Sequence, residues 1–441
     1  MTPERKFFKQ PGKKETLASK QQKRIRRVNH LRNRLPNLST QWWVRAGEIF
    51  GLVVLFLTNL FLLYPFFGVE DRMNVFSAPV IPVLASATEY FIPFAYGVRI
   101  WLLVFLLFFP LSFYYFVQEI SGRKLTGFLA SFLVSLPIGV FLFSRVNLGL
   151  FGGDGAHIAS LTFAPLVCLL LLRFLRGGNY KTGIFSALGT SLVALTSPIG
   201  FVVLVTFMTV ITFSEMLLGR GRLKGFRFLI VLILAVGFLA FWYNPKFVIL
   251  TIQSSQGQLA QKTLFKLLPV SFFLVPLLGV FGFLLFENRP QLQPVFIAFF
   301  LTFAFGAFSL GAGIVHPSPS RFLAAFGISF AFLTGILVVR FADFLRNSPK
   351  LKRLKVISSH RRLIAFGLIG LLFVLLIAII GFSKENQWEL GESQVLGLTA
   401  EQKVGAWEIK EKTSLVESIF GYTITALTAF GAVTLKKKLR I

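Results

Sequence analysis

GIFSALGTSLVALTSPIGFVVLVTFMTVITFSEMLL, residues Gly183–Leu218, is the stretch that decides the fold. It is 36 residues long and holds one ionisable side chain, Glu215. As a single helix it would run about 54 Å at 1.5 Å per residue, well beyond a hydrocarbon layer of ~30 Å. Arg173, Arg176 and Lys181 precede it, and Arg220, Arg222, Lys224 and Arg227 follow it. Lys and Arg concentrate in cytosolic loops, so both ends belong on one side and the segment must turn back. Thr196-Ser197-Pro198 is the natural break, because proline lacks the helix donor and clashes with the preceding turn. The tip is expected either to open a protein-lined vestibule or to form a plain packed hairpin.

The rest of the chain extends this pattern. It has 441 residues, 55% hydrophobic and 15% charged, with 54 Phe, and a mean hydropathy of +0.72. Apolar runs of about 20 residues recur, the length that crosses a bilayer as a helix. The ~10-residue alternation of a membrane β-barrel is missing from the sequence. The expected fold is an all-α polytopic membrane protein of about twelve transmembrane segments. They fall at Gly47–Phe67, Arg99–Gln118, Leu125–Phe143, Ile158–Leu175, Gly183–Ser197 and Ile199–Leu218. The series continues at Phe226–Tyr243, Leu267–Phe286, Pro294–Ala312, Phe322–Val339, Leu363–Gly381 and Val416–Leu435.

A formal charge of +28 could indicate nucleic acid, but its distribution does not. One alternate set of loops, with the two termini, carries 35 of the 46 Lys and Arg. That set is expected in the cytosol, with both termini, in a multi-pass plasma-membrane protein. Residues 1–46 hold thirteen Lys or Arg against two acids. This reads as a basic, disordered cytosolic tail that meets anionic lipid headgroups, with Trp42-Trp43 at the interface. It does not read as a cleavable signal peptide. Residues 47–339 form the core, 340–362 a basic cytosolic loop, and 363–441 two final spans around an outer loop at 382–415. Asn244–Lys266 reads as an interfacial helix.

Soluble-enzyme motifs fail: there is no GxxxxGK[ST], GxSxG or HExxH. His30, His157, His316 and His360 are never at metal-ligand spacing, and the lone Cys168 excludes a disulfide framework. What remains is scarce polar chemistry at the outer ends of the spans. The first outer loop, 68–98, is longer than a helix connection needs and opens with Glu70-Asp71-Arg72. Glu70 and Asp71 are the candidate catalytic carboxylates; being adjacent, they diverge, and Asp71 is the better placed to face an acceptor hydroxyl. Arg321 and Arg145 are the candidate phosphate-binding cations, since a guanidinium can hold a phosphate through two parallel hydrogen bonds. Asp154, His157, His316 and Arg99 complete a candidate substrate pocket. No metal site is required, although Glu70, Asp71 and Asp154 offer oxygen ligands to a divalent cation such as Mg or Mn.

Four short motifs carry a resemblance. Ala164-Pro165-Leu166 opens into a span ending at Arg173, and Leu195-Thr196-Ser197-Pro198 forms a hairpin tip. Phe241-Trp242-Tyr243-Asn244-Pro245 ends a span, and Pro319-Ser320-Arg321-Phe322 starts one. With the basic start, the first span and the acidic first outer loop, the chain resembles the C superfamily of integral-membrane glycosyltransferases. Its nearest likeness there is to bacterial "6-pyruvoyl-tetrahydropterin synthase-related" membrane-domain proteins. The resemblance implies a polyprenyl-phosphate sugar donor, a first-loop acid at Asp71 or Glu70, and a donor-phosphate arginine at Arg321. It carries no expectation of nucleic acid as a partner. The alternatives are a lipid or polysaccharide-precursor transporter and a non-catalytic envelope scaffold.

Overall fold

The computed structural model describes residues 38–71, 74, 76, 78–218, 221–253, 258, 290–310, 319–347 and 415–434. Most of the basic tail, Arg72, His316, the expected spans Leu267–Phe286 and Leu363–Gly381, and the loop 382–414 lie outside the described residues. The chain divides into Met1–Val53 and Val54–Ile441. The described part of the first unit is the start of one helix, α1 (Leu38–Leu63), which begins nine residues before the expected span. Its Ile49, Phe50 and Val53 are exposed, as lipid-facing side chains would be.

In the second unit the helices are α2 (Val80–Thr88), α3 (Phe94–Ser121), α4 (Lys124–Ser135), α5 (Leu142–Val146), α6 (Gly155–Gly177) and α7 (Tyr180–Thr196). They continue as α8 (Pro198–Leu217), α9 (Gly221–Leu239), α10 (Pro245–Gln253), α11 (Gln293–Leu310), α12 (Leu323–Asn347) and α13 (Leu415–Thr434). No strand occurs among the described residues. Six helices there are long and apolar enough to cross a membrane: α1, α3, α6, α8, α12 and α13. The described residues are all-helical, and the length and composition of these helices mark a multi-pass membrane protein.

The hairpin forms where the sequence places it. Ser197, extended, caps α8 by accepting from the Gly200 backbone N–H at 3.3 Å, and Pro198 opens the helix, where no donor is needed. Gly200 lets α8 approach α6 closely, since a Cβ there would collide with Ser160. Small residues at such crossings are how helices pack when lipid removes the hydrophobic drive between them. The Phe content fills the remaining volume. Phe116 of α3 meets Phe332 of α12 at 5.8 Å and Phe207 of α8 at 6.4 Å, and Phe207 meets Phe305 of α11 at 5.3 Å between ring centroids. Helix α13 is more lightly held. Gly237 of α9 admits Thr428, and Thr425 accepts from the Phe241 backbone N–H at 3.0 Å, while most of α13 stays exposed.

The expected span Leu125–Phe143 is corrected. Helix α4 stops at Ser135 after 12 residues, about 18 Å, too short to cross. Leu136-Pro137 ends it, because proline disfavours helix in the residue before it. Residues after the break fold into α5 and a π-helical turn, Asn147–Phe151. The expected outer loop Ser144–His157 is thus largely helical, and α6 begins three residues before the expected span. The first loop is also not all loop, since it contains α2, and α3 begins at Phe94 instead of Arg99.

At the end of the bundle opposite Asp154, four helices meet on one carboxylate. Glu215 of α8 is buried; its Oε1 accepts from Arg176 Nε of α6 and Gln293 Nε2 of α11, both at 2.8 Å. Its Oε2 accepts from Lys224 Nζ of α9 at 2.8 Å, and Lys224 also donates to the Glu215 carbonyl at 2.7 Å. Breaking a buried, fully bonded ion cluster by removing one partner costs about 3–5 kcal/mol. Glu215→Ala is therefore expected to lower the unfolding temperature of the detergent-purified protein more than Glu119→Ala, whose carboxylate pairs with Arg173 near the surface. Equal shifts in the two variants would show that the cluster does not bind the helices together.

Candidate functional site

Asn74 is the centre of the site at the Asp154 end. Its Nδ2 donates to Asp71 Oδ1 at 2.7 Å and to the Gly149 carbonyl at 3.1 Å. Its Oδ1 accepts from the Gly155 backbone N–H at the start of α6. The amide thereby joins the first loop, the π-helical turn and α6. The position beside it must be glycine, because a Cβ on Gly155 would collide with Asn74 and with Leu102 of α3. Asp71 is half-buried, and its own backbone N–H donates to the Ala95 carbonyl at 3.2 Å, which pins the loop against the first turn of α3. Glu70, also half-buried, precedes it.

One residue before Gly155, Asp154 leaves the turn with its backbone N–H bonded to the Leu148 carbonyl at 3.0 Å. Its Oδ2 pairs with Arg321 Nε at 3.2 Å, and their side chains are 13% and 36% exposed. Arg321 sits in a 3-10 turn, Pro319–Phe322, that leads into α12. Its carbonyl accepts from His157 Nε2 at 3.1 Å, so the imidazole carries its proton on Nε2 there. About a third of the Arg321 side chain stays exposed beside that pair. Ser160 donates to the His157 carbonyl and lies against Gly200, which brings the α7–α8 hairpin tip to the same end. Tyr243, just past α9, donates its hydroxyl to the Ala194 carbonyl in the last turn of α7 at 2.9 Å.

Asp71, Asp154, His157 and Arg321 are thus brought to one end of the bundle, linked through Asn74 and the α6 start. Arg99 adjoins them. It lies one turn into α3, buried, with Nη1 donating to the Leu150 carbonyl at 2.6 Å, its guanidinium 5.7 Å from the Phe151 ring, and Asp71 within electrostatic reach. It therefore supports the wall beneath the acids. His316 lies outside the described residues. Arg145 is the correction. Expected in an outer loop beside Arg321, it is buried against α3 and α4, with Nη2 on the Val134 carbonyl at 2.6 Å and Phe109 under its guanidinium at 4.3 Å.

Among the described residues no three His, Cys, Asp or Glu side chains group closely enough to hold a metal ion. Glu70, Asp71 and Asp154 do not gather into a divalent-cation cradle. The sequence reading missed Asn74 altogether; the one available signal was an amide three residues after an acid in a loop already singled out. It also missed the Glu215 cluster, whose partners come from helices far apart in sequence. No family model, curated protein or solved structure matches the chain.

The geometry gives Asn74 a measurable role. Asn74→Leu removes the acceptor for the Gly155 N–H and both bonds of Nδ2; a buried donor left unsatisfied costs about 1–3 kcal/mol. The expected outcome is a lowered unfolding temperature together with faster proteolysis of the 68–93 loop. An unchanged cleavage rate would mean that the loop is held by other contacts.

Proposed function

We propose that this chain is a glycosyltransferase of the plasma membrane that moves a sugar from a polyprenyl-phosphate donor to an acceptor hydroxyl at the Asp71 end. That end faces away from the cytosol in this reading, with both termini inside. The observation that carries it is the pairing of chemistries at one end of the bundle. There is a half-buried carboxylate, Asp71, oriented by Asn74, and an arginine whose Nε pairs with Asp154 while about a third of its side chain stays exposed.

In the reaction, Asp71 takes the proton of the acceptor hydroxyl as its oxygen attacks the anomeric carbon. The bond from that carbon to the phosphate oxygen breaks with inversion. The polyprenyl phosphate leaves with the electron pair, and its charge is met by the Arg321 fork. Asp154 acts as a positioning residue by holding Arg321, and Glu70 is the second carboxylate at the acceptor. A divalent cation is not needed for these steps. The basic N-terminal residues meet anionic lipid.

Lipid transport is the second reading, and one observation favours it: α4 stops part-way across, as the broken helices of transporters do.

Two experiments test the proposal. Orientation comes first. With Cys168→Ser as background, since Cys168 is the single thiol, a cysteine placed at Tyr90, 92% exposed, is expected to react with an impermeant thiol reagent on intact cells. Reaction only after membrane disruption would reverse the assignment of sides. Activity comes second. Asp71→Asn and Arg321→Ala, each retaining the wild-type unfolding profile, are expected to reduce consumption of a polyprenyl-phosphate sugar by about 100-fold or more. Unchanged consumption in both would remove these residues from the chemistry, and no consumption by wild type alongside lipid movement would favour the transporter.

A further inference from the structure

Between α4 and α5 the chain makes a tight turn, residues 136–141, and Gly139 within it is exposed. Ile138 before it is 41% exposed. The Leu142 N–H donates to the Leu136 carbonyl at 3.0 Å, and the Phe141 N–H to the Ile138 carbonyl at 2.8 Å. Ser144 fastens the same turn by donating to the Val140 and Phe141 carbonyls, both at 2.9 Å. A Cβ on Gly139 would meet nothing within 4 Å. What this residue shows to its surroundings, having no side chain, is backbone.

The height of the turn can be read from three contacts. A Cβ on Gly127 would stand 2.9 Å from the Tyr114 carbonyl, so α4 and α3 lie side by side there. Ser135 is eight residues further along, about 12 Å. It is therefore level with Leu106, the thirteenth of the 28 residues of α3. Phe56 of α1 meets Phe108 of α3 at 5.6 Å between ring centroids, and the apolar stretch of α1 continues from Phe56 to Phe66. Hydrocarbon thus extends about 12 Å beyond the end of α4. From the other direction, a Cβ on Gly327 would overlap the Val140 carbonyl. Gly327 lies six residues past Arg321, about 9 Å deeper than the Asp154–Arg321 pair. The turn belongs inside the membrane.

An exposed turn at this depth needs a partner for its peptide groups. Acyl chains offer none, and irregular backbone occurs there only where protein buries it or where it lines a water-filled space. No described residue buries Gly139. Phe141 stacks on Phe330 at 6.2 Å and Phe330 on Phe326 at 5.9 Å, which fixes one flank of the turn to α12. Behind it the Arg145 guanidinium holds the Val134 carbonyl, and charged groups at membrane depth keep company with a bundle interior or with water.

We propose that the break between α4 and α5 lines a water-filled inlet, open toward the Asp154–Arg321 end, that brings hydrophilic groups to about mid-membrane. Its occupants are water and small polar solutes, which bond the Gly139 peptide where a continued helix would have done so. The inlet depends on neither transferase nor transporter chemistry.

The test measures thiol reactivity of the full chain in cells and in inverted membrane vesicles, with Cys168→Ser as background. Gly139→Cys is compared with Phe108→Cys, which is 47% exposed at nearly the same height on the regular helix α3. Tyr90→Cys reports the water at the Asp154 end. A small impermeant methanethiosulfonate is expected to modify Gly139→Cys from the same side as Tyr90→Cys. The expected rate is at least about 100-fold above that of Phe108→Cys, because the reactive thiolate forms in water and not in hydrocarbon. In denaturing detergent all three thiols should react, which confirms that each is present. Equally slow modification of Gly139→Cys and Phe108→Cys overturns the inlet. So does a spontaneous disulfide-linked dimer of Gly139→Cys, which would place a second copy against the turn. Modification from the side opposite to Tyr90→Cys overturns it as well, whereas reversal of both together keeps the inlet and changes only the assignment of sides. If Gly139→Cys fails to fold, Ile138→Cys decides by the same comparison.

Discussion

Backbone carbonyls and N–H groups set in hydrocarbon have no water to bond, and that requirement shapes the region between α4 and α6. The segment 136–154 is broken into α5, a π-helical turn and short links where one plain helix would satisfy itself. Side chains supply what the missing helix does not. Arg145 takes the Val134 carbonyl, Arg99 the Leu150 carbonyl, and Asn74 the Gly149 carbonyl and the Gly155 N–H. Ser144 shares its hydroxyl between the Val140 and Phe141 carbonyls. Without these bonds the turn that carries Asp154 would keep only its own backbone bonds, from Asp154 to Leu148 and from Gly152 to Asn147. Several of the few buried polar side chains among the described residues are committed in this way, and the candidate site adjoins them.

The two ends of the bundle solve the same problem with different means. Near Asp154 side-chain pairs, Asn74 with Asp71 and Arg321 with Asp154, stand beside bonds to the backbone, and the Arg321 side chain stays about a third exposed. At the other end Glu215 is enclosed by a guanidinium, an ammonium and an amide, so its charge is spent on holding four helices in register. A carboxylate so fully bonded is a poor base and a good clamp. That contrast is a stronger reason for seeking chemistry at the Asp154 end than the number of acids at either.

Much of the fold was legible in the sequence, and the reason differs by element. Gly183–Leu218 announced its own turn, since length and flanking charge demanded one and Pro198 marked the place. Helix α4 was misread because the apolar run continues through Leu136-Pro137-Ile138 to Phe143, and hydropathy alone cannot tell a buried irregular backbone from a span. Arg145 was misplaced with it: a charged residue after an apolar run reads as a loop. The convergence of Asp154 with Arg321 was expected as an end-of-bundle grouping, while the bond itself joins residues 167 positions apart in number. Asn74 escaped notice because an amide in a loop carries no charge to draw attention, and its importance lies entirely in three partners brought to it by folding.

Helix α13 touches the rest mainly along α9, through Thr425, Thr428 and the small residues Gly237 and Gly421. Phe241 also stacks on Tyr422 and Lys246 pairs with Glu417 at 3.3 Å, so this contact is polar and aromatic and lies outside the Phe-filled interior. Among the described residues the Phe-filled core thus closes without α13, which lies as a flank along α9.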